Sequence, residues 1–258
     1  ENVPTPGKEV KKHRAAVAIS WDDIPWMSDS AKKEILESTP IHLRDTVSKG
    51  IPLVGDGAVY PLPLGDLLVD DFPIPAHYEK LYGMDASWNC TAAVFGARDP
   101  DTGVVYIYGE HYVKNQPPEV HAARIKAIAG DWMNGVIDPA SKKLKGAADG
   151  KEVFSMYRRL GLRIREANNQ VEAGIMKVTS LMLQGKLKFF RRATPSTQNE
   201  YIIYRRDDGK IVKEDDHAMD ALRYLIASLQ FAKPTPVSIA NATGIKGPLV
   251  QRPRRYNV

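Results

Sequence analysis

A chain of 258 residues and 28.7 kDa can bury one sizeable core and a small second unit. Its 43% hydrophobic and 26% charged residues are those of a globular protein, and no run approaches the roughly 18 apolar residues of a membrane span. With no signal-peptide pattern and the single Cys90, which excludes an internal disulfide or a Cys-based zinc site, the expectation is a soluble cytoplasmic protein whose net charge of +5 suits a polyanionic partner.

The chain opens at Glu1 on a polar, Pro-containing segment, which suggests a piece of a longer polypeptide. The apolar run Ala15 to Ile19 reads as a strand that ends at the turn Trp21-Asp22-Asp23-Ile24-Pro25. Ser28 or Ser30 caps a short helix through Leu36, and a second helix spans His42 to Lys49 and stops at Gly50. The Pro- and Gly-rich stretch from Ile51 to Pro75 reads as a linker draped over a neighbour, so residues 1–77 are expected to join this chain to a preceding domain. No Gly-Lys-Ser/Thr occurs, so no ATPase phosphate loop is present in the sequence.

From Tyr78 the texture changes. Lys80 to Asp85 and Thr91 to Ala97 read as strands, Asp99-Pro100-Asp101-Thr102-Gly103 as a hairpin turn, and Val104 to Tyr112 as a third strand. Pro117 and Pro118 open a helix that ends near Gly130, and Gly135 to Ile137 is a short buried strand running into Asp138-Pro139. Helices then follow at Val153 to Leu160, Val171 to Gln184 and Ser196 to Tyr204, with strands at Leu162 to Ile164 and Leu187 to Phe190. A turn at Asp207-Asp208-Gly209 precedes the closing helix. Three antiparallel strands followed by alternating helices and parallel strands predict an α/β mixed sheet with helices on both faces. Beyond Ala232 the sequence is basic, Pro-rich and aperiodic, so residues 233–258 are expected to be a flexible tail.

The stretch from Lys213 to Tyr224 organises the rest. Read as a helix start, it places Asp216, His217 and Asp220 on one side, with Ala218, Leu222, Leu225 and Leu229 as a core stripe opposite. Asp215 and Asp216 suit the positive end of the helix dipole, whereas Asp220 lies a full turn further in, where the dipole gives it little. Asp85 and Asp138 each end a strand. In this strand order the first and fourth strands are neighbours, and the closing helix lies across their ends.

Three carboxylates meeting there repel by about 4 kcal/mol per pair at 4 Å and an effective dielectric of 20, so they need neutralisation. All-oxygen ligands select hard cations, Mg²⁺ or Mn²⁺, and two such ions about 4 Å apart can hydrolyse a phosphodiester. Basic clusters fit that chemistry: Lys142, Lys143 and Lys145 after Asp138; Arg158, Arg159, Arg163 and Arg165; Arg191 and Arg192; and Arg252, Arg254 and Arg255.

The strings Gly-Met-Asp85-Ala-Ser-Trp, Gly-Val-Ile-Asp138-Pro-Ala-Ser and Asp-His217-Ala-Met-Asp220-Ala-Leu-Arg-Tyr resemble the nuclease domain of the tailed-phage terminase large subunit, over residues 78 to 232. That resemblance implies a ribonuclease H-like fold and a metal-dependent endonuclease cutting concatemeric double-stranded DNA. It implies Asp85, Asp138 and Asp220 as metal ligands and catalytic residues, with Asp216 and His217 as further ligands or supporting groups, and two Mg²⁺ or Mn²⁺ ions. Lys142, Lys143, Lys145, Lys213, Arg191 and Arg192 are the expected DNA contacts. The implied partners are double-stranded DNA, an ATPase domain of the same full-length chain, a small terminase subunit and a portal protein, in the host cytoplasm and at the procapsid portal. The rival readings are a Holliday-junction resolvase or transposase on the same fold, and a non-catalytic module that docks DNA or a portal.

Overall fold

The computed structural model describes residues 21, 24–38, 48, 57–87, 89–142 and 152–243. The chain divides into two compact units, Glu1–Gly55 and Asp56–Val258. In the first, helix α1 (Asp29–Ser38) starts where the sequence places it, with the Ser28 hydroxyl accepting from the Ala31 N–H at 3.3 Å. The strand expected at Ala15 to Ile19 and the helix expected at His42 to Lys49 lie outside the described residues, Ser48 excepted.

The second unit is built on a seven-stranded mixed sheet in the order β1-β7-β4-β3-β2-β5-β6. Its strands are β1 (Leu68–Val69), β2 (Glu79–Ala86), β3 (Cys90–Arg98), β4 (Val105–Lys114), β5 (Gly135–Ile137), β6 (Ile164–Glu166) and β7 (Leu187–Phe190). Strands β2, β3 and β4 form an antiparallel meander, with the Asp99 N–H donating to the Val104 carbonyl across the expected turn. The parallel pairs β2–β5, β5–β6, β4–β7 and β1–β7 point the same way, so these strands end at one edge of the sheet.

Helices α3 (Pro118–Ala129) and α4 (Val153–Arg159) cover one face, where Ala122, Ile125, Phe154 and Tyr157 bury against Tyr82, Phe95 and Ile137. Helix α3 stops at Gly130, whose φ of 63° suits glycine alone among common residues. Helices α5 (Val171–Leu183), α6 (Pro195–Ile203) and α7 (His217–Ala227) cover the other face around Leu81, Val94, Ile107 and Phe189.

Several expectations are corrected. Strand β6 lies two residues later than Leu162 to Ile164. Residues between 57 and 77 are not a linker outside the fold: helix α2 (Leu64–Leu67) precedes β1, which pairs with β7, and Tyr60 and Leu67 sit in the core. The start of the expected tail is also structured. Lys233 bridges Lys80, and helix α8 runs from Val237 to Thr243. Helix α7 starts at His217, so Lys213 to Asp216 precede it, and it is buried nearly all round, from Ala218 to Ala227, Asp220 excepted. A one-sided stripe was the wrong expectation because this helix is sandwiched between the sheet and α5 and α6. The hairpin of β8 (Arg206–Asp207) and β9 (Lys210–Ile211) leads into it.

Candidate metal centre at the strand ends

The register puts the two strand carboxylates side by side. Met84 of β2 pairs with Ile137 of β5, and the Asp138 N–H donates to the Met84 carbonyl at 3.3 Å, so Asp85 and Asp138 follow adjacent paired positions. Asp138 opens a 3-10 turn (Pro139–Lys142), where its Oδ1 accepts from the Ala140 N–H at 3.0 Å and the Asn169 amide at 3.2 Å. Helix α7 meets the sheet closely enough to bring Asp220 in. A Cβ on Gly83 would overlap the Ala221 carbonyl oxygen, so only glycine permits this approach two residues before Asp85.

The start of α7 is fixed from outside it. The chain passes through a left-handed turn at Asp215 (φ 48°), and Asp216, although at the N-cap, makes no capping bond. Glu200 of α6 does this instead, accepting from the N–H groups of Ala218 at 2.6 Å and Met219 at 3.1 Å. Burial pushes the Glu200 carboxyl up to about 7, against those two bonds and Tyr112, which pull it down.

This end places His217 at the first turn, where its Nδ1 donates to Asp85 Oδ2 at 2.7 Å. Burial raises the Asp85 carboxyl above the ordinary range; the His217 bond opposes that, while Asp220 and Asp138 add to it. The bond to Asp85 in turn raises the imidazole above its usual value. Asp220 has a side chain only 13% exposed, held from both sides: Arg223 donates to Oδ1 at 2.9 Å and Lys213 to Oδ2 at 3.1 Å. Lys213 also reaches Asp216 at 2.8 Å. Burial disfavours its charge, yet Asp216 and Asp220 outweigh that and raise the ammonium well above the ordinary value.

Burial raises Tyr224, and Asp220, Asp138 and Asp85 add to that rise. Their ligand atoms are nevertheless not drawn into one closed cluster. Among the described residues, the three such groups with atoms all within 4.8 Å are His77, Asp99 and Asp101, at the opposite end of β2 and β3. That group is occupied as a turn, with Asp99 accepting from the Asp101 N–H at 3.0 Å and the Thr102 hydroxyl at 2.7 Å. At the strand ends Lys213 and Arg223 hold Asp220, His217 holds Asp85, and the Ala140 N–H and the Asn169 amide hold Asp138.

The expected DNA contacts are less concentrated. Lys143 and Lys145 lie outside the described residues, and Lys142 ends the 3-10 turn. Arg191 and Arg192 follow β7 at the same edge of the sheet but three strands from β2, roughly 14 Å across. They are engaged by Asp70 at 3.4 Å and, through the Arg192 N–H, by Asp71 at 3.1 Å. Lys114, not anticipated from sequence, ends β4 and pairs with Asp215 at 3.1 Å. Glu200 and Arg223 were also missed; a glutamate in a helical run and an arginine beside an acidic turn carry no sign of burial.

A mixed sheet of this order with acidic strand ends and a closing helix across them is the ribonuclease H-like architecture. Residues 82–229 match the terminase RNaseH-like domain, and the chain belongs to that family. It is 27% identical over 237 residues to the terminase large subunit of Salmonella phage P22, covering 88% of this chain and 46% of the relative. The large subunit of Enterobacteria phage LP7 is 27% identical over 228 residues, covering 84% and 47%, so the chain spans about half the length of these curated relatives. The solved nuclease domain of the P22 large terminase superposes with a TM-score of 0.63 at 26% identity, covering 70% of this chain and 96% of that one. The large terminase of a thermophilic bacteriophage, solved in complex with ADP, shares the fold, with a TM-score of 0.58 at 19% identity over 82% of this chain and 55% of that one.

Proposed function

We infer that the chain is the nuclease part of a DNA-packaging terminase, a divalent-metal-dependent endonuclease cutting concatemeric double-stranded DNA. The observation that supports this reading is the position of Asp85 and Asp138 at the ends of adjacent paired strands, with Asp220 on the helix that packs against β2 at Gly83, in a chain of the terminase family. The donor set, carboxylates with one imidazole, fits hard cations such as Mg²⁺ or Mn²⁺. When bound, one or two such ions supply Lewis-acid polarisation of a phosphodiester and activation of water.

The chain's own residues divide the remaining work. Asp85, Asp138 and Asp220 hold the metal, with Asp216 at the rim. His217 orients Asp85 through its 2.7 Å bond or joins it as a ligand. Arg223 fixes the rotamer of Asp220, and Lys213, exposed on one side, neutralises the acidic pair and can meet a phosphate. Lys142, Lys143, Lys145, Arg191 and Arg192 would contact the DNA backbone, without reading sequence. The ATPase half of a full-length large subunit, a small subunit and a portal are the proposed partners, in the host cytoplasm.

A second reading, a module that docks DNA or a portal without cutting, draws on the occupation of each carboxylate by a protein group. Supercoiled plasmid incubated with Mg²⁺, Mn²⁺ or EDTA separates the two. Metal-dependent nicking and linearisation, lost in folded Asp85→Ala, Asp138→Ala and Asp220→Ala, is the expected result. Binding without cleavage, unchanged in those variants, would leave only the docking module.

A further inference from the structure

Beside Asp220, three buried side chains carry four polar atoms that no protein group satisfies. Arg223 is 1% exposed, Tyr60 2% and Tyr204 4%, yet Arg223 Nε and Nη1 and both phenol hydroxyls find no hydrogen-bond partner among the described residues. The rest of the guanidinium is engaged. Its Nη2 donates to Asp220 Oδ1 at 2.9 Å, its Cζ lies 4.6 Å from the centroid of the Tyr224 ring, and its stem runs against Gly174 of α5. A buried cation with idle N–H groups is costly, because a charged donor taken from water loses more than a neutral one.

The two phenols are fixed from their own side. The Val59 N–H donates to the Tyr204 carbonyl at 3.1 Å, which brings the neighbouring Tyr60 to the end of α6. There its ring stacks on Tyr201 at 5.7 Å and stands 5.7 Å from the tilted ring of Tyr204. Tyr201 has its own acceptor in the Leu62 carbonyl at 2.8 Å, so the hydroxyls left over are those of Tyr60 and Tyr204. Both sense the same charges. Burial raises each phenol, Asp220 adds to both rises and Arg223 opposes both.

We propose that ordered water bridges Tyr60, Tyr204 and Arg223, and that this bridge holds the guanidinium on Asp220, which makes the two tyrosines positioning residues for the metal centre. This rests on the metal-centre reading and extends it to residues that touch neither metal nor substrate. Water fits the inventory. Two sets of N–H donors need an acceptor, two hydroxyls can each donate or accept, and a buried water makes about three hydrogen bonds. An anion fits less well, since the charges of Asp220 and Asp216 both reach Tyr204 and would repel it. Without the bridge, one hydrogen bond and one ring face hold the guanidinium, and the carboxylate it orients is less firmly set. Tyr60 belongs to the stretch that sequence reads as a linker, so the bridge gives that stretch a part in the site.

Tyr60→Phe, Tyr204→Phe and the double variant, made in the whole chain, decide the matter by the sign of a shift. Removing a hydroxyl that has no partner leaves the thermal midpoint in EDTA unchanged or raises it, whereas removing a bridged one should lower it by about 2–4 °C. The double variant should lose less than the two singles together, because both act through one network. Calorimetry should show Mn²⁺ affinity reduced roughly 10-fold, the low end for losing a partner of a ligating carboxylate. Tyr201→Phe is the control: it gives up the Leu62 bond, so its midpoint falls while its Mn²⁺ affinity holds. Midpoints that stay or rise in the Tyr60 and Tyr204 variants would overturn the bridge, and lowered midpoints with wild-type Mn²⁺ affinity would overturn its role at Asp220. Failure of the metal-centre reading looks different. The wild-type chain itself would then take up no Mn²⁺, which ends the role at the metal, while the midpoints still decide the bridge.

Discussion

Gly83→Ala tests whether the close approach of strand β2 and helix α7 sets the site. A Cβ there would overlap the Ala221 carbonyl oxygen and stand 2.8 Å from the Leu225 nitrogen and 3.0 Å from the Ala221 carbonyl carbon, all of them backbone. None can rotate away, so the helix must lift by about 1 Å to restore ordinary van der Waals distances. Overpacking costs about 1–3 kcal/mol where side chains can give, and backbone on both sides puts this case at the top of that range. At about 2–4 °C per kcal/mol, the thermal midpoint should drop by roughly 6–12 °C. The same lift carries Asp220 away from Asp85, and a misplacement of about 1 Å can cost 100-fold in rate. Gly96→Ala supplies the control. On neighbouring β3, its Cβ would meet the Leu225 Cδ atoms at 2.9 Å, the mobile end of a side chain on the same helix. Thermal unfolding and metal-dependent nicking measured for both should separate them widely. Equal midpoints, or full nicking by Gly83→Ala, would refute the idea that this close approach fixes the carboxylates.

Other consequences concern the packing around the site. The Gln116 carbonyl accepts from His121 Nε2 at 2.9 Å, so His121 Nδ1 is an acceptor and His111 Nε2–H donates to it at 2.9 Å; both rings are neutral. Burial, with His121 and Arg124 nearby, lowers His111 to about 4, below its unfolded value, so stability is present above the unfolded pKa and lost as pH falls from about 6.5 to 4. At pH 5 the loss should be about 2 kcal/mol, visible as a lower thermal midpoint than at pH 7.5 and reduced in His111→Asn. Glu200→Ala leaves two N–H groups of α7 without their acceptor and should cost about 2–3 kcal/mol in urea unfolding; a change under about 0.5 kcal/mol would mean that water replaces it. Gly174→Ala would place a Cβ 2.5 Å from Arg223 Cγ and 2.8 Å from its Cδ, pressing on a fully buried arginine. It should destabilise by about 1–3 kcal/mol and, by shifting the guanidinium from Asp220, weaken Mn²⁺ binding measured by calorimetry. Wild-type binding would sever that link.

Local signals made most of the sheet legible. Asp99 to Gly103 carried its own turn chemistry, Gly130 its own helix stop, and Asp85 and Asp138 each closed a run of apolar residues. What sequence periodicity could not show was set by partners distant in the chain. Strand β1 is two residues in a Pro-rich stretch and exists because β7, some 120 residues later, pairs with it. Helix α7 looked two-sided because a buried arginine and a buried tyrosine read as polar; Arg223 is covered because α5 offers Gly174 against it. The site was readable as residue types, since clustered carboxylates need neutralisation. Their protein counter-charges were readable only in part: Lys213 stood beside the acidic run and was expected at the DNA, whereas Arg223 was invisible until packing placed it.

The position of the closing helix follows from two carboxylate acceptors in series, Glu110 half-buried and Glu200 buried. Glu110 in the middle of β4 receives the N–H groups of Ser196 at 2.7 Å and Thr197 at 2.8 Å, together with the Thr197 hydroxyl at 2.7 Å, and so fixes where α6 begins. One and a half turns into α6, Glu200 receives Ala218 and Met219 and fixes where α7 begins. Each carboxylate satisfies donors that a helix start cannot satisfy itself, and each favours the positive end of the helix it caps. His217 and Asp220 are thus positioned relative to the sheet by two successive glutamates, while Gly83 sets how near the helix lies. Register along the helix axis comes from the caps and height above the sheet from the glycine. A carboxylate centre assembled from two strands and a helix needs both, because Asp85 and Asp138 move with the sheet and Asp220 does not.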